Sequence, residues 1–384
     1  MLVAAEASGD ALGAGLARAL KDRLGEDAVE FVGVGGAAMA AEGVQSPFDI
    51  AELSILGIFE GVRAYPRVVR RADQTAALAA AARPDIAVLI DSWGFTLRVA
   101  QRLRRQDPAL PLVKYVGPQV WASRPQRART LAGAVDLLLT LYAFDAPLFE
   151  AAGLKTVFVG NAALQRDFSA ADPARLRAHI GAGADEPILL VAPGSRPSEI
   201  ARVLPAFAAA AARLTAERPG LKVVIPVAGV VAGAVREAVR GWAVLPWLIE
   251  DEALKDDAMA AATVALACSG TVTTELALAG CPMVVGYRIG AMSYQVIKRL
   301  VRTRWVCLLN VAADREIVPE LIQHACNGPA LAREAARLLD DPARRAAQVA
   351  DQSAALDRLG RGAGDPARGA AEAVIALLKE RGLI

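Results

Sequence analysis

Two stretches of the sequence pass from an apolar run through a glycine turn into a helix start, a pattern that suits phosphate binding. The first is PILLVAPGSRPSEI at residues 187–200, where Gly194 permits a tight turn and Arg196 can donate paired hydrogen bonds to phosphate oxygens. Ser195 is a candidate N-cap residue, and Pro197 suits the first helical position. Because a helix N-terminus attracts anions, this stretch predicts a phosphate site. An ordinary strand-to-helix turn with a surface arginine is the alternative.

The second stretch is CSGTVTTE at residues 268–275, which again combines a strand end, a Ser-Gly-Thr turn and a helix start. Glu275 is predicted in the first turn of that helix, where a carboxylate suits the helix dipole and can also accept both hydroxyls of a ribose. Two such turns in one half of the chain are hard to attribute to coincidence. The second half is therefore predicted to hold a phosphate-containing ligand.

Carboxylates follow predicted strands in the first half of the chain. Asp91 ends the apolar run PDIAVLID, and Glu6 and Asp10 flank the turn after the first strand, where ligands of open α/β sheets bind. Asp91 is therefore a candidate general base, and an aspartate that caps a helix or braces a turn is the alternative. The glycines around Gly9 do not match the dinucleotide fingerprint GxGxxG, which argues against a nicotinamide or flavin cofactor.

An aromatic and basic loop is predicted after the next strand, in the stretch KYVGPQVWASR at residues 114–124. Its Gly-Pro pair indicates a turn. Trp121 and Arg124 suit a sugar face or a phosphate, and a rigid loop without a ligand is the alternative.

The elements that hold these residues repeat a strand-helix rhythm in both halves, which predicts parallel sheets covered by helices on both faces. A chain of 384 residues is longer than a comfortable single domain, so two α/β domains of similar size are expected. Residues 161–186 are rich in Ala, Asp, Arg and Gly, and this change of composition predicts the domain boundary.

Finer structural predictions concern the second half. Residues 243–245 are predicted as a strand, and residues 302–320 are predicted to contain another. Pro205 is predicted to interrupt or kink the helix of the first phosphate-type turn. The tail after Asp341 is predicted to form two surface helices, separated by residues 360–364 and without chemistry.

Charge and cysteine content argue against several classes of protein. Lys and Arg number 43 and Asp and Glu number 41, which gives a net charge of +2 and argues against a nucleic-acid footprint over the surface. The four cysteines form no CxxC pair and are predicted to be reduced, mostly buried thiols of a cytosolic protein. No apolar run is long enough to span a bilayer and no signal-peptide pattern follows Met1, so neither an integral nor a secreted protein is expected.

A surface that rests on anionic lipid is predicted for residues 54–71, SILGIFEGVRAYPRVVRR. The prediction depends on bulky apolar residues beside a cluster of arginines, namely Ile55, Leu56, Ile58, Phe59, Arg63, Arg67, Arg70 and Arg71. An amphipathic helix packed on its own sheet is the alternative.

Nine ordered blocks of the sequence closely resemble the lipid-A-disaccharide synthase family, and the resemblance runs nearly end to end. The blocks are AEASGDALGAGL (5–16), FVGVGGAAMAAEG (31–43), FDIAELSILGIFE (48–60), PDIAVLID (84–91), YVGPQVWASR (115–124), APGSRPSEI (192–200), SGTVTTE (269–275), PMVVGYR (282–288) and LNVAADREIVPELIQ (309–323). Any one block alone would be a weak signal. So many in order make a chance match implausible.

The resemblance implies an α/β fold of the GT-B class, with two Rossmann-like domains facing a cleft and a C-terminal helix crossing back to the N-terminal domain. It implies an acceptor- and membrane-facing domain at residues 1–168, on which the helices of residues 350–384 pack. The UDP-sugar-binding domain is expected at residues 169–349.

The resemblance also implies an inverting glycosyltransferase. Such an enzyme joins UDP-2,3-diacylglucosamine to 2,3-diacylglucosamine 1-phosphate through a β-1,6 bond and releases UDP. No cofactor is implied, and the chain contains no Asp-x-Asp pair that could hold a metal. The implied location is cytoplasmic, peripheral on the cytoplasmic face of the inner membrane, and a homodimer is left open.

Site residues follow from the matched blocks. Residues expected at the nucleotide are Gly194, Ser195, Arg196, Glu199, Ser269, Gly270, Thr271, Glu275, Tyr287, Asn310 and Gln323. Residues expected at the other substrate are Ser8, Gly9, Asp10, Trp121 and Arg124. Arg196 is expected at the diphosphate, where its charge and the amides of two helix starts can stabilise the leaving group, and Glu275 is expected at the ribose.

The first half departs from the family pattern. The usual Asp-Ser/Ala-Pro-Asp-Phe-Asn motif is DSWGFT at residues 91–96, so a second carboxylate is missing at Gly94, and the usual Gly-His-Pro is GNA at residues 160–162. Asp91 therefore ranks first as the base, and Glu6 is the alternative.

Two other functions remain open at this stage. One is a catalytically inert relative that binds a nucleotide sugar, which the departures in the first half motivate. The other is a UDP-sugar epimerase on the same architecture. The apolar residues at 55–59 argue against an epimerase, because a soluble sugar needs no apolar surface.

Overall fold

The computed structural model describes residues 1–53 and 58–384 and, within these ranges, all side chains except those of residues 58–64, 198, 230, 291–293, 296 and 297. The chain divides into two compact units. Unit 1 comprises Met1–Ala162, Leu300–Arg302 and Ala363–Ile384, and unit 2 comprises Ala163–Arg299 and Thr303–Gly362. The first division falls inside residues 161–186.

Unit 1 contains one parallel sheet and its covering helices. The strands are β1 (Leu2–Val3), β2 (Gly33–Val34), β3 (Ala87–Ile90), β4 (Leu112–Tyr115), β5 (Leu137–Thr140) and β6 (Lys155–Phe158). The helices are α1 (Ala7–Leu24), α2 (Ala37–Ala41), α3 (Ile58–Ala82), α4 (Trp93–Gln106), α5 (Arg127–Ala132), α6 (Ala146–Glu150) and α16 (Pro366–Glu380). The strand order is β2-β1-β3-β4-β5-β6.

Both faces of this sheet are buried. Along β3, Ala87 and Leu89 join the core on the side of α3 and α4, whereas Val88 and Ile90 join the core on the side of α1 and α16. Successive side chains of a strand point to opposite faces, so a strand covered on both sides must be apolar throughout. This requirement explains why the run before Asp91 could be recognised as a parallel strand.

The C-terminal helix α16 packs against α1 and buries Ala370, Val374 and Leu377 in the core of unit 1. The predicted return of a C-terminal helix to the first domain is therefore confirmed. The expectation that this tail lies only on the surface is wrong, because α16 completes a core. The return begins at Ala363 rather than at residue 350, since α15 (Pro342–Leu359) belongs to unit 2.

Unit 2 contains a second parallel sheet. The strands are β7 (Ile188–Ala192), β8 (Lys222–Pro226), β9 (Trp247–Ile249), β10 (Val264–Cys268), β11 (Met283–Tyr287) and β12 (Glu320–Ile322), in the order β12-β11-β10-β7-β8-β9. The helices besides α15 are α7 (Pro173–His179), α8 (Pro197–Glu217), α9 (Ala232–Val239), α10 (Glu252–Ala261), α11 (Thr271–Leu278), α12 (Ala291–Leu300), α13 (Leu308–Ala313) and α14 (Gly328–Leu339).

Three helices begin with the same Asp-Pro pair. The carboxylates of Asp172, Asp341 and Asp365 accept hydrogen bonds from amides in the first turns of α7, α15 and α16. The proline that follows occupies the first helical position, where its fixed φ fits and its missing N–H is not needed. Local sequence therefore sets where these helices start.

Three details of unit 2 differ from the sequence predictions. The strand predicted at residues 243–245 lies later, as β9, and residues 302–320 contribute α13 and only the first residue of β12. Helix α8 continues through Pro205. Leu204 and Phe207 on either side of this proline are buried in the core, so packing holds the helix where one hydrogen bond is missing.

All four cysteines are free and buried, as predicted. Burial raises the pKa of the Cys268 thiol to about 12, so this residue is not a thiolate at neutral pH. Within the described residues, no helix is both long enough and apolar enough to cross a membrane.

Asp10 connects α1 to the start of α2. It is 7% exposed, and its carboxylate accepts hydrogen bonds from the amides of Gly36, Ala38 and Met39 at 2.7, 3.0 and 3.0 Å. A carboxylate that satisfies the amides of a helix start is held by the fold. The expectation that Asp10 binds substrate or acts as a base is therefore wrong.

Asp10→Ala is expected to lower the free energy of unfolding by about 2–4 kcal/mol, because buried amides lose their acceptor. Urea unfolding followed by circular dichroism measures the change. Asp10→Asn keeps one acceptor oxygen and is the matched control, with a smaller expected loss. An Asp10→Ala protein as stable as the parent would contradict this structural role.

Candidate active site

The two phosphate-type turns of unit 2 lie side by side. They follow β7 and β10, which are neighbours in the sheet and pair Ala192 with Ala267. From β7 the chain builds β8 and β9 on one side and then crosses to β10 on the other. The carboxyl end of such a strand pair is the crevice in which open α/β sheets bind ligands.

A cavity of about 470 Å³ lies at this crevice, within the usual size range of small-molecule sites. Its walls are the two turns, the loop after β8 and one face of α10. The following predicted nucleotide residues line it: Gly194, Ser195, Arg196, Glu199, Ser269, Gly270, Thr271 and Glu275. The fold thus brings both stretches into one site.

The first turn is shaped by its glycine. Gly194 has a φ of +100°, and a Cβ at this position would lie 2.7 Å from Glu199 Oε2, so only glycine allows this approach. Arg196 is the N-cap residue of α8 and Pro197 its first residue, so the expectation that Ser195 caps the helix is wrong by one position. The Arg196 guanidinium donates to Glu199 Oε1 at 2.8 Å and is 69% exposed.

Glu275 lies in the second turn of α11 rather than in the predicted first turn. Its Oε1 accepts a hydrogen bond from Arg166 Nη1 at 2.5 Å, and Arg166 Nη2 donates to Asp256. The same guanidinium packs over the ring of Phe168, 5.2 Å from its centroid. Arg166 therefore holds the Glu275 carboxylate at the cavity wall.

Sequence analysis missed Arg166 and Lys255, which both line this cavity. Arg166 falls in the segment that was interpreted only as a domain boundary. Lys255 is 8% exposed and donates to Glu252 at 2.5 Å. In the sequence it lies among charged residues, a pattern that is typical of a solvent-exposed helix face. No local signal in the sequence distinguished either residue.

Asn310 has a structural position. It is fully buried on α13, and its amide nitrogen donates to Val318 O at 2.8 Å and Glu320 Oε1 at 2.7 Å. Its amide oxygen accepts from the backbone of Ile317 and Val318 at 2.8 and 2.9 Å. With these bonds made, Asn310 holds the chain between α13 and β12, and the expectation of direct contact with a nucleotide is wrong.

Tyr287 ends β11 and Gln323 directly follows the neighbouring β12, but neither is among the cavity-lining residues. Gln323 has a φ of +56°, and its Nε2 is buried without a hydrogen-bond partner in the described part of the chain. Its carbonyl oxygen accepts from Arg288 Nε at 3.2 Å. Strained backbone and an unsatisfied amide are found at functional sites, so Gln323 stays a prediction.

The corresponding crevice of unit 1 lies between β1 and β3. From β1 the chain builds β2 on one side and then crosses to β3 on the other. The turns after β1 and β3 therefore meet at the carboxyl edge, and Ser8 Oγ lies 3.5 Å from Asp91 Oδ2 there.

The backbone of Asp91 is held in an uncommon conformation. Asp91 and Ser92 have φ values of +47° and +38°, which residues other than glycine rarely adopt. Asp91 N donates to Tyr115 O at 2.8 Å, and its carbonyl oxygen accepts from Thr96 Oγ1 at 2.7 Å and from Lys114 Nζ. Strain that the surroundings enforce in this way is typical of functional sites.

Lys114 positions this turn. It is 2% exposed, and burial lowers the pKa of its ammonium group to about 7. Besides the Asp91 carbonyl it contacts Thr96 Oγ1 at 2.9 Å. This role could not be predicted from the sequence, because Lys114 is on β4 and Asp91 follows β3, and the two meet only in the folded sheet.

A cavity of about 330 Å³ opens beside the Asp91 turn, and its lining includes Glu6, Tyr65, Trp93 and Gly94. Gly94 is exposed, and a Cβ at this position would meet no atom within 4 Å. Open space therefore lies where the family pattern carries its second carboxylate.

The other predicted substrate residues of unit 1 have different surroundings. Gly9 is buried, and a Cβ there would lie 3.3 Å from the Cβ of Ala4, so Gly9 permits close packing, and its contact with substrate stays a prediction. The Trp121 ring packs edge-on against Phe144 with 5.8 Å between centroids, and its Nε1 is buried with no partner among the described residues. Arg124 is exposed and has a φ of +52°.

Asp145, which sequence analysis missed, is a further carboxyl at this edge and follows β5. Burial raises its pKa to about 7, and within the described ranges its Oδ1 is buried without a hydrogen bond. In the same turn, the rings of Tyr142 and Phe144 stack at 5.7 Å. A carboxyl whose pKa lies near neutrality is suited to proton transfer.

The predicted lipid-facing residues are only partly described. Ile55 and Leu56 lie outside the described residues, as do the side chains of Ile58, Phe59 and Arg63. Arg71 donates to Glu52 at 2.6 Å and packs over the Phe48 ring at 4.5 Å, so part of its charge is already paired within unit 1, and its contact with lipid stays a prediction. Arg67 and Arg70 are exposed on α3.

These features define a class of protein. Two parallel six-stranded α/β units, one with a cavity between two phosphate-type turns, define the GT-B fold class. Staphylococcus aureus MnaA, solved with UDP, has a TM-score of 0.59 and 15% identity, with coverage of 100% of this chain and 97% of that chain. A glycosyltransferase from Rickettsia africae has a TM-score of 0.56 and 11% identity, with coverage of 99% and 97%. At these identities the likeness shows the fold alone.

Sequence comparison shows the family. The family model described as lipid-A-disaccharide synthetase matches residues 1–374. A lipid-A-disaccharide synthase from Rhodospirillum centenum is 43% identical over 380 residues, which cover 99% of this chain and 94% of the relative. The chain therefore belongs to the lipid-A-disaccharide synthase family, glycosyltransferases that join the two sugar units in lipid A biosynthesis. This reaction requires a nucleotide-sugar donor and a lipid acceptor.

Proposed function

We propose that the protein transfers 2,3-diacylglucosamine from UDP to the 6-hydroxyl of 2,3-diacylglucosamine 1-phosphate, with inversion at the anomeric carbon and release of UDP. The observation that carries the proposal is the unit 2 cavity, where two helix-starting turns converge with Arg196 and Glu275. Family membership supports the choice of sugars.

Arg196 is assigned to the diphosphate of the donor. Its partner Glu199 is on the same turn, and an ion pair this exposed contributes only about 0–1 kcal/mol. The guanidinium can therefore turn from Glu199 to a diphosphate at little cost. The N-termini of α8 and α11 add partial positive charge at the same place. Together these groups would stabilise the charge that develops on UDP as its bond to the anomeric carbon breaks.

Glu275 is assigned to the ribose of the donor. A carboxylate can accept hydrogen bonds from two neighbouring hydroxyls if its orientation is fixed. Arg166 supplies this orientation, because its guanidinium is itself held by Asp256 and Phe168.

Asp91 is assigned as the general base. As the bond from the acceptor oxygen to the anomeric carbon forms, the bond from that carbon to the UDP oxygen breaks, and its electron pair leaves with UDP. The hydroxyl proton passes to the carboxylate. Lys114 and Thr96 hold the backbone of this residue at the sheet edge, which keeps its side chain in place. Glu6 is the alternative base, and Asp145 is a further carboxyl at the same edge.

The protein is also proposed to act as a peripheral protein on the cytoplasmic face of the inner membrane. Its proposed substrates carry acyl chains, which partition into a bilayer. Exposed Arg67 and Arg70 on α3 would attract anionic headgroups, and Tyr65, 53% exposed on the same helix, is a residue type that favours the membrane interface.

Incubation of the purified protein with both acylated sugars in mixed micelles tests the proposed reaction. Disaccharide 1-phosphate and UDP are expected in equal amounts, measured by mass spectrometry and a coupled UDP assay. UDP binding without turnover in every lipid and detergent condition would identify an inert relative. Conversion of the UDP-sugar without an acceptor would identify an epimerase.

For the donor site, Glu275→Ala is expected to weaken UDP binding roughly 10- to 100-fold, since hydrogen bonds to a charged group contribute about 1.5–3 kcal/mol. Arg196→Ala is expected to lower kcat about 10²–10³-fold, because it removes stabilisation of the leaving group. Calorimetry and steady-state kinetics measure the two effects. Glu237→Ala, on the exposed face of α9, is the matched control. Unchanged UDP affinity in a folded Glu275→Ala protein would refute the ribose assignment.

For the base, Asp91→Asn is expected to keep the fold and the affinity for UDP while losing about 10²–10⁴-fold in turnover. Glu6→Gln and Asp145→Asn are the comparison variants, assayed under the same conditions. A well-folded Asp91→Asn protein within a few-fold of the parent rate would reject Asp91. The assignment would then move to whichever comparison variant is inactive.

For membrane association, Arg67→Glu combined with Arg70→Glu is expected to weaken flotation with phosphatidylethanolamine–phosphatidylglycerol vesicles by about fivefold or more per arginine. The parent should float less at high salt, because salt screens the attraction. Arg105→Glu, on α4, is the control for the charge change of a single reversal. If flotation changes neither with salt nor in the Arg67→Glu, Arg70→Glu double variant, this surface has no part in membrane association.

A further inference from the structure

Two arginines without acidic partners stand at the carboxyl edge of unit 1. Arg124 lies in the loop after β4, and Arg127 is the first residue of α5. Neither forms an ion pair with a carboxylate among the residues that the structure describes. Arg127 N donates to Arg124 O at 3.0 Å, which places the two residues in one turn. Burial and the positive charge of Arg124 both lower the pKa of the Arg127 guanidinium.

Trp93 places this pair beside the Asp91 turn. The guanidinium carbon of Arg127 lies 5.1 Å from the centroid of the Trp93 ring, and Trp93 begins α4 directly after that turn. The turn after β3 and the loop with Arg124 leave neighbouring strands whose last residues are paired. Arg124 and Arg127 therefore belong to the same edge as the proposed base.

The loop that carries Arg124 is fixed by backbone contacts. Arg124 has a φ of +52°, and its carbonyl oxygen accepts a hydrogen bond from Arg127 N at 3.0 Å. Earlier in the loop, Ala122 O accepts from Arg302 N at 2.8 Å. A residue other than glycine keeps such a conformation only where its surroundings hold it, and such residues cluster at binding and catalytic sites.

We propose that Arg124 and Arg127 together bind the 1-phosphate of the acceptor sugar. This assignment rests on the proposed function, which supplies the acceptor. A guanidinium presents its N–H donors in a fixed plane that matches phosphate oxygens, and two of them can share one phosphate. A dianionic phosphate also offsets the repulsion between the two cations.

The proposed contact orients the acceptor as well as binding it. The sugar ring holds the phosphate on C1 at a fixed distance from the hydroxyl on C6. With the phosphate on the arginines, the sugar can present its 6-hydroxyl toward the Asp91 turn. The phosphate would then favour glycosylation of the 6-hydroxyl over the 4-hydroxyl.

Arg124→Gln and Arg127→Gln test the pair, with acceptor kinetics as the readout. Each variant is expected to raise the KM for 2,3-diacylglucosamine 1-phosphate on the order of 10- to 100-fold, the range for one charge-assisted contact, with a smaller change in kcat. UDP affinity should not change. Arg129→Gln removes the same charge from the exposed side of α5 and should behave as the parent.

An acceptor without the phosphate distinguishes loss of phosphate binding from a general loss of structure in the variants. With 2,3-diacylglucosamine, the parent should lose at least as much as either variant loses with the phosphorylated acceptor, and the parent and the variants should then have the same KM. Equal losses with both acceptors, or an unchanged KM, would overturn the proposal. A variant that loses vesicle flotation instead would assign the arginines to lipid headgroups. A parent that binds UDP but makes no disaccharide would contradict the proposed function rather than this assignment.

Discussion

Each sheet of this protein starts at an inner strand, and the chain must build one side of the sheet before it crosses to the other. The turns after the two central strands therefore lie next to each other at the carboxyl edge. No chain segment connects these two turns directly, so a space remains between them. In unit 2 the space is the cavity of Gly194 and Glu275, and in unit 1 it lies beside Asp91. Both proposed substrate sites therefore follow from one topological constraint.

Paired charges determine what the unit 2 cavity can accept. Arg166 pairs with Glu275 and Arg196 with Glu199, and the cavity also holds the buried Lys255. The exposed Arg196–Glu199 pair separates at little cost, but an anion that drew Arg166 away would leave the partly buried Glu275 without its partner. A ligand that carries both phosphate and hydroxyl groups can bind Arg196 and Glu275 together, which is consistent with the proposed nucleotide.

The buried strands could be predicted from the sequence, because a parallel strand that is buried on both faces is an unbroken apolar run. The turn after β7 could also be predicted, because Gly194 allows a turn that other residues cannot make. Contacts across the fold could not be predicted. Lys114 and Arg166 look ordinary in their local sequence. Only the folded sheets bring Lys114 to the carbonyl oxygen of Asp91 and Arg166 to the carboxylate of Glu275. Pro205 shows the limit of local preference, since core packing carries α8 through it. Asn310 fits the family pattern, yet its burial gives it a structural position.

Helix α16 links the order of synthesis to the order of folding. Residues Met1–Ala162 of unit 1 leave the ribosome before unit 2, but the core beside α1 lacks Ala370 and Val374 until all of unit 2 has been translated. Domains commonly fold as they leave the ribosome, but unit 1 cannot complete its core until α16 has been translated. Its apolar helix face stays uncovered during most of translation, when contact with chaperones or with other nascent chains is possible. Loss of the C-terminal residues would therefore damage the part of the protein that is made first.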